Sequence, residues 1–446
     1  MYNRSRILVV PNNQFPGQPG NPVGYAAWPG NTLSGNSTVT PWPPTIGNGG
    51  VTSGPTWGSG TASNPTIVTN KLFDTGVQGS SFANFLVSLN GTSNASPANW
   101  VVFQGCWFQG NVLTGFNNLS ALIDCASAGS TNIIFSYCSF TPRATFSAGP
   151  ANTAWVTQAW PSPPAASWPS SSAASGLDDN TLGLGWMLPR NDSYQYAMFV
   201  GSASGGFITL DHCDAWGAAD LIQPAMSSTA QINIVDCWLH DGRFGFGPVW
   251  DVTLTYPPGF FVSSSSPPTI SNQFSANTTV TPGQANPASN ANWSAGTNDH
   301  QDGILPNNGA SNLSNMMIRH NTIASLGNTN AIAFQHNTGG LYQKISIVNN
   351  YLSGYNHPID FNSSGSTPIT AQDSNLVFTD NVVGTDLLFG SVLQRDLSPQ
   401  FNNIAGCIWR RNKLKVYPGD TWSGLNANDG KFIWPDTTFN NTDWPN

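Results

Sequence analysis

The chain has 446 residues, only 8% of them charged, and a formal net charge of −8 at pH 7 with 14 Lys plus Arg. So few cations exclude a nucleic-acid backbone as the main partner, because that binding needs clustered Lys and Arg. No stretch approaches the roughly 18 apolar residues of a membrane span, and the 45 Gly and 33 Pro, with abundant Asn, Ser and Thr, point to turns built from amides and hydroxyls.

At the N-terminus the apolar run Ile7-Leu8-Val9-Val10 follows Arg4 and Arg6 and ends at Pro11. It is shorter than the apolar core of a secretory signal peptide. Two readings stay open: a signal has been removed, or the protein leaves its cell by another route, of which assembly into a virus particle released by lysis is the simplest. Residues 1–64, with Trp28-Pro29-Gly30, Trp42-Pro43-Pro44 and Trp57-Gly58, carry no sustained period. They read as an extended arm that caps a solenoid end or docks on neighbouring virion components.

Beyond the arm one short frame recurs eight times: two alternating apolar residues, three positions on a Cys or Asn, then two further on another residue that is usually apolar. The first half holds Val101-Phe103-Cys106-Phe108, Ile133-Phe135-Cys138-Phe140, Ile208-Leu210-Cys213-Ala215 and Ile232-Ile234-Cys237-Leu239. The second holds Met316-Ile318-Asn321-Ile323, Ile345-Ile347-Asn350-Leu352, Leu376-Phe378-Asn381-Val383 and Cys407-Trp409-Asn412-Leu414. Period-two alternation ending in a small or amide residue is a strand entering a corner. Slot separations of 24, 29, 31 and 31 residues match one three-sided coil of a β-solenoid, and 32, 75 and 84 are a coil with or without an insertion. A second strand follows most frames, at Leu122-Ile123, Leu221-Ile222, Gly303-Ile304, Ile332 to Phe334, Pro358-Ile359 and Leu387 to Phe389. The expected fold is all-β: a right-handed parallel β-helix of about eight to ten coils over residues 65–418.

In coils stacked about 4.8 Å apart, slot Asn residues can hydrogen-bond to one another, and slot Cys residues act as small buried hydrophobes. Parallel Cβ vectors fit a disulfide poorly, so these thiols are expected to be free. Insertions at 141–191 and 244–298 leave the coils after Cys138 and Cys237 at the same corner, before the second strand. Read as loops without secondary structure, they are expected to wall or cover a working face. Trp155, Trp160, Trp168 and Trp186 in the first either stack on sugar rings or pin the loop to the body. Residues 419–446, with Trp422, Phe432, Trp434 and Trp444, are expected to cap the last coil.

With the insertions set aside, the residue before each slot forms a lateral row of His212, Asp236, His320 and Asn349. Aligning the second strands puts Asp220 beside Asp302 and then Asn330, two carboxylates about 5 Å apart. That spacing suits a general acid and base, so Asp220, Asp302, Asp299 and His300 are the catalytic candidates. Five of the six His residues fall between 212 and 336, and such clusters mark site candidates. His212, Asp236, His240, Asp241, Arg243, His320, His336, Trp216 and Trp238 are therefore candidates for substrate binding. No cofactor is required, and oxygens of Asp220, Asp302 and Asp299 would suit calcium. The bland alternative is corner chemistry, since Asp-Gly pairs make turns and Asp satisfies local amides.

The coil pattern, with Asp299-His300-Gln301-Asp302-Gly303-Ile304 followed by Met316-Met317-Ile318-Arg319-His320-Asn321, resembles the right-handed β-helix proteins that include polysaccharide lyases, family 28 glycoside hydrolases and phage tail spikes. It looks most like β-helix minor tail proteins of phages infecting actinobacteria, which often carry His-x-Asp-Gly-Ile-Gln before such a strand; here Leu305 stands in place of the Gln. The hydrolase signatures Gly-His-Gly and Arg-Ile-Lys are absent, and Lys344, Lys413 and Lys415 do not align with the Asp pair as a lyase base would. The resemblance implies a virion or extracellular protein that binds surface polysaccharide, with depolymerisation by a carboxylate pair as its enzymatic version, and association as a homotrimer. A secreted polysaccharide-degrading enzyme and a purely structural solenoid are the alternatives.

Overall fold

The computed structural model describes residues 31–32, 35–36, 40–41, 60–74, 85–89, 98–109, 121–125, 130–141, 194–200, 205–216, 218–224, 230–240, 250–256, 261–265, 272–295, 302–306, 313–325, 330–334, 341–354, 357–360, 374–385, 408–414 and 438–439. Among them the chain is mostly strand with almost no helix, and most of the strands lie in three parallel sheets.

The first sheet stacks nine strands in chain order: Thr66–Thr69, Asn99–Gln104, Thr131–Ser136, Phe207–Asp211, Gln231–Val235, Leu313–Arg319, Tyr342–Val348, Ser374–Thr379 and Ile408–Arg410. The second runs from Lys71–Asp74 through Trp107–Gln109, Ser139–Thr141, Asp214–Trp216, Trp238–His240, Thr322–Ser325, Tyr351–Gly354 and Val382–Thr385 to Lys413–Leu414. Short strands Thr40–Pro41 and Thr438–Phe439 add one rung at each end of it. The third sheet joins Phe85–Ser88, Ala121–Asp124, Tyr194–Val200 and Ala218–Pro224. Single parallel bridges from Ile222 to Ile304 and on to Ile332 continue it to Asn330–Ala333 and His357–Asp360. As far as His357–Asp360 the described coils visit first, second and third sheet in the same order, a solenoid-like path.

The recurring frames lie in register. Val101, Ile133, Ile208, Ile232, Met316, Ile345 and Leu376 are successive lateral partners. A further coil precedes the eight, with Thr66 and Val68 beside Val101 and Phe103; its slot holds Lys71, which the Cys-or-Asn rule passes over. The alternation buries one face of each strand, and the inner residues form one continuous core. In the early coils Phe73, Phe108 and Phe140 form one stack with centroids 4.7 and 5.1 Å apart, and Phe103 lies on Phe135 at 4.9 Å. Equivalent positions on neighbouring coils bring equal rings face to face at the strand spacing.

The slot residues do what their chemistry dictates. Asn321, Asn350 and Asn381 each donate a backbone N–H and Nδ2 to the Oδ1 of the next rung, at 2.9–3.0 Å. Their second Nδ2 hydrogen reaches the carbonyl of Ile234, Ile318 or Ile347 on the coil before. Buried amides are thereby fully paired. In the Cys half, Cys106, Cys138 and Cys213 donate to the carbonyls of Val68, Phe103 and Phe135, mimicking one of those amide bonds. The five described cysteines are free and buried, and burial pushes the Cys125, Cys138 and Cys237 thiols well above their usual range.

One expectation changes, and one strand is added to those read from the sequence. Insertion 244–298 is not a loop without secondary structure: Phe261–Ser263, Gln273–Ala276 and Trp293–Ala295 form an antiparallel sheet over a small core of Tyr256, Val262, Ala276, Val280 and Trp293. The coil interrupted by insertion 141–191 does have a third-sheet strand, Tyr194–Val200, which resumes directly after it. Leu387 to Phe389, and most of the arm, of insertion 141–191 and of residues 419–446, lie outside the described residues.

Candidate functional site: a corner row

Between the first and second sheets each coil turns through one residue in the left-handed region. The row runs Asn70, Gly105, Tyr137, His212, Asp236, His320, Asn349, Asp380 and Arg411, with φ between 51° and 62°. The backbone N–H of each residue from Asn70 to Asn349 donates to a carbonyl on the following coil at 2.9–3.1 Å, so the corner is pinned rung by rung. Asn, Asp, His and Gly tolerate this conformation best, which explains part of the row's composition.

The side chains then interact along the row. The Tyr137 ring lies on the His212 imidazole, centroids 4.8 Å apart at 22°. His212 Nδ1 bonds to Asp211 Oδ1 at 2.7 Å, and Ser136 Oγ donates to Asp211 Oδ2 at 3.4 Å. One rung on, His320 Nδ1 is bonded to Asp236 Oδ1. At the end, Arg411 grips Asp380 with two bonds of 2.6 Å. Between them, Asn349 Oδ1 is buried and meets no donor among the described residues. Asp211, His212, Asp236 and His320 keep 37, 24, 21 and 25% of their side chains exposed, enough for a ligand to reach them from solvent.

The sequence reading places His212, Asp236, His320 and Asn349 in this row, and the structure brings them together. It misses Tyr137, although the same rule applied to Cys138 would have found it, and Asp211, which precedes the row by one residue on the outer face of the first sheet. The other proposed cluster has a different character. Asp220, Asp302 and Asn330 do stack on successive coils, but Asp220 and Asp302 are 3 and 0% exposed. Asp220 Oδ1 accepts the backbone N–H of Asp302, and Asp302 Oδ1 accepts the N–H and Nδ2 of Asn330, all at 3.0 Å. These carboxylates form a second buried ladder, the counterpart of the slot Asn residues. The Asp-Gly-Ile segment follows the same logic: a Cβ at Gly303 would lie 2.6 Å from both the Ala331 carbonyl and Ile323 Cγ2, while Ile304 is core.

Trp238 is not available to a sugar either. It is 1% exposed, on the outer face of the second sheet in a lateral row with Asp214 and Thr322, which are buried too. That sheet is therefore covered on both faces through these coils. The backbones of Trp216 and His240 are lateral partners in the second sheet; Asp299, His300, Asp241, Arg243 and His336 lie outside the described residues.

The chain therefore offers a partly open row of one aromatic, two imidazole and two carboxylate side chains at a rigid corner, and a separate buried carboxylate ladder. The sequence matches no family model, and no curated protein is similar to it.

Proposed function

We propose that this protein is a right-handed parallel β-helix whose corner row binds surface polysaccharide, as an appendage of a virion tail. Handedness follows from the general rule that parallel crossover connections are right-handed. The observation that carries the binding reading is the row itself. In a chain with 8% charged residues, Asp211, His212, Asp236 and His320 collect beside Tyr137 on one corner, partly exposed and held by backbone bonds. Rigid elements carrying a few convergent polar groups and an aromatic face suit a sugar chain, which offers hydroxyls and C–H faces in turn. Successive rungs about 4.8 Å apart repeat at close to the length of one sugar residue, so a glycan lying along the solenoid axis meets one rung per sugar.

The virion assignment rests on the resemblance of the coil pattern to tail proteins. Binding is favoured over cleavage because Asp220 and Asp302 are committed to backbone amides. The test is gel retardation of the full-length chain in a panel of bacterial surface polysaccharides, with reducing ends measured in parallel. Retardation by at least one polysaccharide, lost in Tyr137→Asn/His320→Asn, is the expected result. Retardation unchanged in that variant removes the corner row from the reading, and release of reducing ends abolished by Asp302→Asn restores the carboxylate pair as an enzyme's centre.

A further inference from the structure

We propose that Asp211, His212 and Asp236 form a binding site for a divalent transition-metal ion at the solenoid corner. One ligand atom from each, two carboxylate oxygens and an imidazole nitrogen, lie within 4.8 Å of one another. Atoms sharing an ion at roughly 2.0–2.1 Å stand about 3.3 Å apart as tetrahedral neighbours and about 4.1 Å apart when trans. From separations of at most 4.8 Å, no pair has to shorten by more than about 1.5 Å, and the Asp211–His212 pair, bonded at 2.7 Å, has to open slightly.

The surroundings resemble those that support metal ligands. His320 Nδ1 bonds to the carboxylate of Asp236, Ser136 Oγ to that of Asp211, and Tyr137 fixes the plane of the His212 ring. Partners of this kind orient ligating carboxylates and imidazoles. Neither carboxylate pairs with Lys or Arg among the described residues; Arg411 of the same row is engaged by Asp380. The demands of the left-handed corner account for the identities at 212 and 236, but not for Asp211, which sits within a regular strand. One imidazole beside two carboxylates selects Zn²⁺, Co²⁺ or Mn²⁺ over Ca²⁺ and Mg²⁺, which take oxygen ligands. Three protein ligands leave room in the coordination sphere for water.

The site shares its residues with the proposed glycan-binding row but does not rest on that reading, and it is tested without a glycan. Calorimetric titration of the full-length chain with Zn²⁺, together with the visible absorption of added Co²⁺, reads it directly. One ion per chain is expected, with affinity falling at least a hundredfold in Asp211→Asn/His212→Asn and about tenfold in His320→Asn. Asn retains the corner conformation, and circular dichroism confirms that each variant is folded. His357→Asn, which removes an imidazole from the third sheet, is expected to leave binding unchanged. Equal Zn²⁺ affinity in parent and double variant overturns the proposal, as does tighter binding of Ca²⁺ than of Zn²⁺.

Discussion

Asp302 Oδ1 receives two hydrogen bonds from Asn330, one from its backbone N–H and one from its Nδ2, both 3.0 Å long. Asn at position 302 keeps that acceptor, whereas Ala strands a buried N–H at a cost of about 1–3 kcal/mol. Asp302→Asn is expected to stay within about 1 kcal/mol of the parent and Asp302→Ala to lose about 2 kcal/mol or more in urea unfolding. Equal losses would mean that the carboxylate's charge, not its acceptor oxygen, holds the rung.

The Asn slot gives a graded test. Asn350 Oδ1 accepts from Asn321, and its Nδ2 serves both Asn381 and the Ile318 carbonyl. Asn350→Ala breaks all of these and is expected to cost about 3 kcal/mol. Asn350→Cys should cost clearly less. Cys237 Sγ already accepts the N–H of Cys213 at 3.4 Å, and Cys213 Sγ reaches the Phe135 carbonyl at 3.3 Å. Chemical denaturation of the two variants ranks them.

Gly303 is required by space. An added Cβ meets the Ala331 carbonyl at 2.6 Å, and that carbonyl is held by the Ile304 N–H at 2.8 Å. Gly303→Ala is expected to destabilise by about 2 kcal/mol or more through overpacking. A variant that melts with the parent would show that the coil yields there.

The small antiparallel insertion carries its own pH signature. Burial, and secondarily the nearby Asp251 carboxylate, pushes the Tyr256 phenol up to about 12. The unfolded chain releases that proton near pH 10, so stability is full below pH 10 and falls as pH rises toward 12, by about 3 kcal/mol in all. Fluorescence of Trp250 and Trp293 should report loss of this core across that window. Tyr256→Phe should flatten the response, while a pH profile identical in the two proteins would assign it to another group.

Much of the solenoid was legible because each coil repeats one physical problem: bury two alternating residues, turn, then satisfy a buried corner. Register could be read wherever the slot was Cys or Asn. It failed at Lys71, where a different residue occupies the slot, and at Tyr194–Val200, displaced from its coil by a long insertion. The antiparallel sheet went unseen because its strands are three or four residues long, too short for a period to emerge. For the site, lateral neighbours were legible and burial was not. Asp220 and Asp302 were correctly stacked, yet only the folded chain distinguishes a carboxylate facing a groove from one facing an amide. Asp211 was overlooked because it belongs to a strand's outer face, where polar residues are ordinary.

The slot Asn residues are identical from rung to rung, so an Asn ladder is blind to which coil it joins: a coil displaced by one rung would find the same amides waiting. The corner row is not blind. Asp236 meets His320, Asp380 meets Arg411, and Tyr137 meets His212, and no displacement by one rung reproduces those pairs. Beside a ladder that supplies cohesion without identity, these unlike neighbours give the coils that carry them an address, so that nearly interchangeable turns of chain assemble in a single order.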